Sequence, residues 1–185
     1  GTNYETHRGT LYFYNNTIVS KRTDATTLFR LSSSGVRVDA RNNIFYVTGP
    51  GDTLEVCVSG GGGVLDLSHN WFKSGWVYCF TDDLQVIIND DHTSVVDKKA
   101  PKFVDEENGD YRLLPGASVV DRGTELHPDV PEEHALTMQY VVHQSGEPRP
   151  QSKEKPEDKH IDIGAYELPS GSELGEYMKE INSKK

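Results

Sequence analysis

Little in this chain speaks for redox or metal chemistry: of 185 residues, two are cysteine, two methionine and two tryptophan. Cys57 and Cys79 are too few for a disulfide framework, and no Cys-x-x-Cys or Cys/His pair has metal-site spacing. No run of about 18 apolar residues occurs, which excludes a helical membrane span. Positive charge is also scarce. Nineteen Lys+Arg against 29 Asp+Glu leave a formal charge of −10, and Lys153, Lys155 and Lys159 are interleaved with Glu154, Glu157 and Asp158. Such a surface repels phosphate, so nucleic acid is not an expected partner. The stretch Gly1-Thr2-Asn3-Tyr4-Glu5 has neither the charged start nor the apolar run of a signal peptide.

What the chain does have is an internal repeat. Leu11–Val19 aligns with Val38–Tyr46 and with Leu65–Lys73, and Asn16, Asn43 and Asn70 recur 27 residues apart. Apolar residues alternate before each Asn (Leu11/Phe13, Val38/Ala40, Leu65/Leu67), which is strand period. A second short strand follows, with Ile18, Phe45 or Phe72 facing inward. A third spans Thr27–Leu31 and, 27 residues on, Leu54–Val58, with a weaker copy at Val77–Phe80. Three strands per unit describe a coil whose turns stack as parallel sheets. We therefore expect an all-β parallel β-helix, a solenoid of about three coils, over residues 1–100. Asn at the tight turn tolerates the left-handed conformation, and its amide can bond the same group one coil away. Gly35, Gly49, Gly51 and Gly60–Gly63 fit as turn residues. Nothing before Leu11 reads as a cap, so a longer parent is expected. The exposed first coil predicts either a cap within Gly1–Thr10 or an edge-to-edge homodimer.

From Pro101 the repeat gives way to Pro101-Lys102-Phe103-Val104-Asp105, Gly109-Asp110-Tyr111-Arg112-Leu113, Pro115–Gly123 and finally Asp162-Ile163-Gly164-Ala165-Tyr166-Glu167. This order of elements resembles the C-terminal end of bacterial right-handed parallel β-helix proteins, namely choice-of-anchor Q domain proteins and polysaccharide-degrading relatives of pectate lyase. With the repeat, the resemblance covers most of residues 10–167. It implies a secreted or cell-surface protein whose partner is polysaccharide, acting as a lyase or glycoside hydrolase, or else as a non-enzymatic carbohydrate-binding or adhesion module. The sequence departs from that pattern in the insert 124–160. Its five prolines and its Ser-Lys-Glu-Lys-Pro-Glu-Asp-Lys run predict an exposed, partly mobile loop within a closing region 101–168. In the last segment, 169–185, Leu174, Tyr177, Met178 and Ile181 follow helical spacing, predicting an amphipathic helix with Ser172 as N-cap.

In the enzymes this chain resembles, the substrate groove lies on the outward face of the sheet that would contain Thr27–Leu31. Its outward residues would include Arg30 and Glu55, the former suited to neutralising a uronate. On the sheet before the Asn turn, the outward set is Tyr12, Tyr14, Asp39, Arg41, Asp66 and Ser68, with His69 and Trp71 near the corner. Asp39 and Asp66 would stack about 5 Å apart, near the spacing of a retaining glycosidase pair. Tyr12, Tyr14, Asp39, Arg41, Asp66 and Trp71 also suit sugar binding, because aromatic faces pack on sugar rings and carboxylates accept hydroxyl protons. Calcium is a possible cofactor, with oxygen ligands at Asp82, Asp83, Asp90 and Asp91. Cys57 and Cys79 fall on neighbouring strands, where separately packed thiols suit in-register geometry better than a disulfide.

Overall fold

A computed structural model describes residues 8–82, 85–141, 145–150 and 161–183. Fourteen strands and one helix are arranged as a parallel β-solenoid of about three turns, followed by an irregular closing region. Strands β1 (Gly9–Tyr14), β4 (Val36–Arg41), β7 (Val64–Ser68) and β9 (Ile87–Asp90) stack as one parallel sheet, here called the first. The second sheet holds β2 (Thr17–Ser20), β5 (Ile44–Val47), β8 (Trp71–Lys73) and β10 (Val95–Asp97). The third pairs β3 (Thr26–Leu31) with β6 (Leu54–Ser59), continued by a single bridge from Glu55 to Val77.

Alternation in sequence becomes alternation in burial. Along β7, Leu65 and Leu67 are buried while Val64, Asp66 and Ser68 are half-exposed, so one face of each strand points into the coil. Between the sheets Phe45 stacks on Phe72 at 5.2 Å and Phe29 meets Phe13 and Phe45 edge-on at 5.4 and 6.1 Å. These rings and Leu31, Val38, Leu54, Val56 and Leu65 form the inner core.

Each Asn-Asn corner divides its work between two residues. The left-handed position is taken by the first of the pair, Asn15 at φ 53° and Asn42 at φ 58°, and in the third coil by His69 at φ 50°. Asn16, Asn43 and Asn70 are not the left-handed residues, contrary to expectation; they carry the ladder. Asn43 Nδ2 donates to Asn70 Oδ1 at 2.9 Å and Asn16 Nδ2 to Asn43 Oδ1 at 3.0 Å, while the backbone N–H of Asn16 and of Asn43 reaches the same oxygens. Asn70 N–H then finds Ser94 Oγ at 3.2 Å.

The third sheet corrects the expected register. Thr27 lies opposite Glu55 and Phe29 opposite Cys57, an offset of 28, one more than the repeat. The cause is the preceding turn: residues 21–25 separate β2 from β3, whereas residues 48–53, including a 3-10 turn at Gly51–Thr53, separate β5 from β6. A shortened fourth coil was also unforeseen. Strand β9 pairs with β7 at an offset of 23 and β10 with β8 at 24.

The closing region covers the outward face of the second sheet. Strands β11 (Phe103–Asp105) and β12 (Asp110–Leu113) form an antiparallel hairpin, and Phe103, Leu113, Val119, Ile163 and Tyr166 pack over Ile44, Tyr46 and Trp71 as a second core. Described parts of the 124–160 insert carry secondary structure where a loop was expected. Strands β13 (Met138–Val141) and β14 (Ser145–Pro148) make a hairpin there, tied down by Tyr140 beside Tyr166 at 6.3 Å and by buried Arg149; residues 151–160 lie outside the described set. Helix α1 (Gly171–Ser183) begins before Ser172, which therefore sits in its first turn instead of capping it. Ile181 is buried, Leu174, Tyr177 and Met178 are half-buried on the same stripe, and Tyr177 Oη donates to Leu113 O at 2.6 Å. No helix among the described residues is long and apolar enough to cross a membrane. Strand β1 ends its sheet, with Leu11 exposed, and most of the expected cap segment, residues 1–7, lies outside the described set.

Candidate functional site

With the second sheet covered, the outward face of the first sheet is the long polar surface the fold offers. Register aligns Tyr12, Asp39, Asp66 and Asn89 in one column and Tyr14, Arg41 and Ser68 in the next. Segment 124–129 borders this face. His127 lies over Tyr12 with ring centroids 5.9 Å apart, Tyr12 is 5.8 Å from Tyr14, and Arg41 Nη1 donates to Glu125 O at 3.3 Å.

The charges on this face are paired within it. Arg41 grips Asp39 through Nε and Nη2 at 2.8 and 2.7 Å, and Asp39 is only 4% exposed. Arg37 grips Asp66 at 2.6 and 2.9 Å, and Asn89 Nδ2 adds a third bond to Asp66 at 2.8 Å. Adjacent in register, the two aspartates each accept a forked guanidinium, and such bidentate pairs are strong and geometrically specific. The Arg41 guanidinium also lies over the Tyr14 ring at 5.3 Å, and burial with nearby Asp39 raises the Tyr14 hydroxyl pKa, keeping it protonated.

At the corner, polar side chains of two neighbouring coils meet. Ser68 Oγ is 2.7 Å and Thr93 Oγ1 3.0 Å from His69 Nδ1, Thr93 Oγ1 donates to Asp91 Oδ1 at 2.5 Å, and the His69 backbone N–H donates to Thr93 Oγ1 at 2.8 Å. Burial of His69, together with Arg41 and Arg122, lowers its pKa, so the ring is neutral at pH 7. Partial burial opposes ionisation of Asp91, but the Thr93 and Ser68 hydroxyls outweigh it and hold that carboxyl below its ordinary range. Ser68 and His69 stood next to the aromatic column in sequence; Thr93 and Asp91 did not, because the shortened fourth coil hides their alignment.

Other expected positions fall elsewhere. Trp71 is fully buried in the second core, its Nε1 donating to Ser118 Oγ at 3.2 Å, so it cannot offer a face to sugar. Arg30 is exposed and aligned with Val58, whereas Glu55 is buried, bonded by the Thr27 hydroxyl and by the Phe80 N–H at 2.9 Å; the extra residue before β6 aligns Glu55 with Thr27 instead of Leu28, on the face opposite to Arg30. Asp90 accepts the Tyr78 hydroxyl at 2.7 Å, Asp91 belongs to the corner network, Asp82 is exposed and Asp83 lies outside the described residues. Among the described residues no three His, Cys, Asp or Glu side chains gather as a metal site. Cys57 and Cys79 are free thiols.

The Asp162–Glu167 motif turns out to be a clasp. Asn15 Nδ2 donates to Asp162 O at 3.2 Å, Gly164 N–H to Asn42 O at 2.7 Å, and Asn42 exchanges bonds with both Thr124 N–H and Thr124 O. Asp162 Oδ1 and Oδ2 accept the N–H groups of Asp121 and Leu168 at 2.8 and 2.7 Å, and Arg149 clamps Glu167 at 2.8 Å. Glycine is required at 164. Its φ is +107°, and a Cβ there would stand 2.7 Å from Ile44 Cδ1 and 2.9 Å from Thr17 Oγ1. Beyond the clasp, a cleft of about 730 Å³ opens between β13–β14 and α1, lined by Arg112, Met138, Arg149, Tyr166 and Tyr177. Its arginines are engaged by Asp110, Glu180 and Glu167.

The fold and site together define a parallel β-helix module with an ion-paired, aromatic outer face. No protein-family profile, curated protein or solved structure matches the chain.

Proposed function

We propose that this chain is a polysaccharide-contacting β-helix module of an exported protein, binding sugar along the outward face of its first sheet without a complete catalytic set. The observation that carries the reading is the Tyr12–Asp39–Asp66–Asn89 column beside Tyr14, Arg41 and His127. Strand spacing of about 4.8 Å repeats hydrogen-bonding groups along the coil axis, and half-exposed tyrosine rings supply apolar surface next to the Asp66 carboxylate. Arginine engages both aspartates, which supports binding over catalysis where fold alone would not distinguish the two. The Asp162–Glu167 resemblance supports export and a glycan partner.

The test is affinity electrophoresis of the whole chain through gels containing xylan, glucomannan or polygalacturonate, with and without calcium, while absorbance of unsaturated products and reducing ends are followed in parallel. Retardation by at least one polysaccharide without product, relieved by Tyr12→Ala, is expected. Free migration through all three overturns the reading. Product formation overturns its non-catalytic part and directs attention to Arg30, Glu55, Asp39 and Asp66.

A further inference from the structure

We infer that Asp91, acting through the Thr93 hydroxyl, holds His69 in the tautomer protonated on Nδ1, so that Nε2 serves as a neutral acceptor for a sugar hydroxyl at the corner of the first sheet. This rests on the proposed glycan reading for its ligand, but the tautomer follows from geometry alone.

The Thr93 proton is committed to Asp91 at 2.5 Å, so at 3.0 Å from His69 Nδ1 the Thr93 oxygen can only accept. Two lone pairs facing each other at that distance would repel. Contact therefore requires the hydrogen on Nδ1, shared between Thr93 and the Ser68 oxygen at 2.7 Å. The chain of donors runs from imidazole to hydroxyl to carboxylate, and a histidine tautomer is set by the bond its other nitrogen makes. The charged groups facing this ring are Asp91, Arg41 and Arg122. The last two oppose a second proton, as does burial. His69 then differs from its neighbours on the face: Asp39, Asp66, Arg37 and Arg41 are tied in ion pairs, whereas Nε2 keeps a lone pair with no charge to neutralise. Asn15 and Asn42 fill the equivalent corner in the earlier coils and turn their amides to the clasp, so an imidazole here is not demanded by the turn.

Long-range imidazole ¹⁵N NMR on the intact chain at pH 7 tests the assignment. A pyrrole-type Nδ1 and pyridine-type Nε2 are expected for His69, and Asp91→Ala, which removes the acceptor and frees the Thr93 hydroxyl to donate to Nδ1, should shift the population toward the Nε2-protonated form. The opposite pattern in the native chain, or no response to Asp91→Ala, overturns the tautomer and the acceptor role with it. His69→Asn keeps the left-handed corner that Asn15 and Asn42 already occupy, and so should fold. It is expected to weaken xylan or glucomannan retardation about fivefold, the worth of one neutral hydrogen bond. If His69 shows the expected tautomer but none of xylan, glucomannan and polygalacturonate retards the native chain, the glycan reading fails and the sugar-acceptor role falls while the tautomer stands. Retardation unchanged by His69→Asn overturns the acceptor role alone.

Discussion

Removing the middle rung of the Asn ladder should cost far more than removing its end. Asn43 is fully buried; its Oδ1 accepts the Asn16 N–H and side-chain amide at 2.9 and 3.0 Å, and its Nδ2 serves both Asn70 Oδ1 and Phe13 O at 2.9 and 2.8 Å. Asn43→Ala strands the Asn16 N–H, while Phe13 O stays in the β1–β4 ladder and Asn70 Oδ1 keeps the Asn43 N–H at 3.0 Å. One backbone group left unsatisfied at about 1–3 kcal/mol, with the loss of the side-chain bonds to Asn70, Asn16 and Phe13 at about 1 kcal/mol each, gives an expected loss of about 4 kcal/mol, a large share of the 5–15 kcal/mol typical of a whole domain. Asn16→Ala is the control. Its Nδ2 bonds only Tyr14 O and Asn43 Oδ1, and the latter still accepts the Asn16 N–H, so about 1 kcal/mol is expected. Urea unfolding followed by far-ultraviolet circular dichroism gives both values if the m-values agree. Equal losses for the two variants would refute the claim that the ladder acts by satisfying buried backbone.

The clasp supplies two more predictions. Gly164→Ala forces a left-handed alanine into Ile44 and Thr17 and should destabilise by about 2–4 kcal/mol in the same urea assay, where a loss under about 1 kcal/mol would contradict the packing described. Burial and neighbouring Glu167 push the Asp162 carboxyl up to about 7, and burial raises Glu167 as well. Since the folded chain binds these protons more tightly than the unfolded one, their stabilisation is full below the ordinary carboxylate range of about 4 and is lost as pH rises through about 7. The urea midpoint of Asp162→Asn should therefore depend less steeply on pH between 4.5 and 7.5 than that of the native chain; parallel profiles would dismiss the effect.

The solenoid was legible because its signal is periodic: Asn16, Asn43 and Asn70 and the alternating Leu65/Leu67 positions state spacing and face at once. Two kinds of information escaped. A one-residue difference in the turn before β6 leaves the residue types intact but moves Glu55 opposite Thr27, since register depends on loop length that composition does not reveal. In the fourth coil His92-Thr93-Ser94 replaces the Asn pair and the spacing contracts, so Thr93 and Asp91 could not be aligned with His69. Trp71 was misplaced because the sheet's outward face is covered by residues some 30 to 95 positions later. Alternation reports which side of a strand a residue takes, not what lies on that side. The Asp162–Glu167 motif was visible as a pattern, but its work as a fastening to Asn15 and Asn42 is a long-range contact with no local signature.

That fastening has a kinetic consequence. Asn15 and Asp162 are 147 residues apart, whereas neighbouring coils pair at separations near 27. Loop closure over such a span is slow compared with coil-to-coil stacking. As the chain emerges N-terminus first, the coils can stack in succession, yet Ile44, Tyr46 and Trp71 stay uncovered until the final strands and Asp162 arrive. Chaperone demand and aggregation risk should therefore concentrate in that interval, when the solenoid is wound but its outer apolar face is still bare.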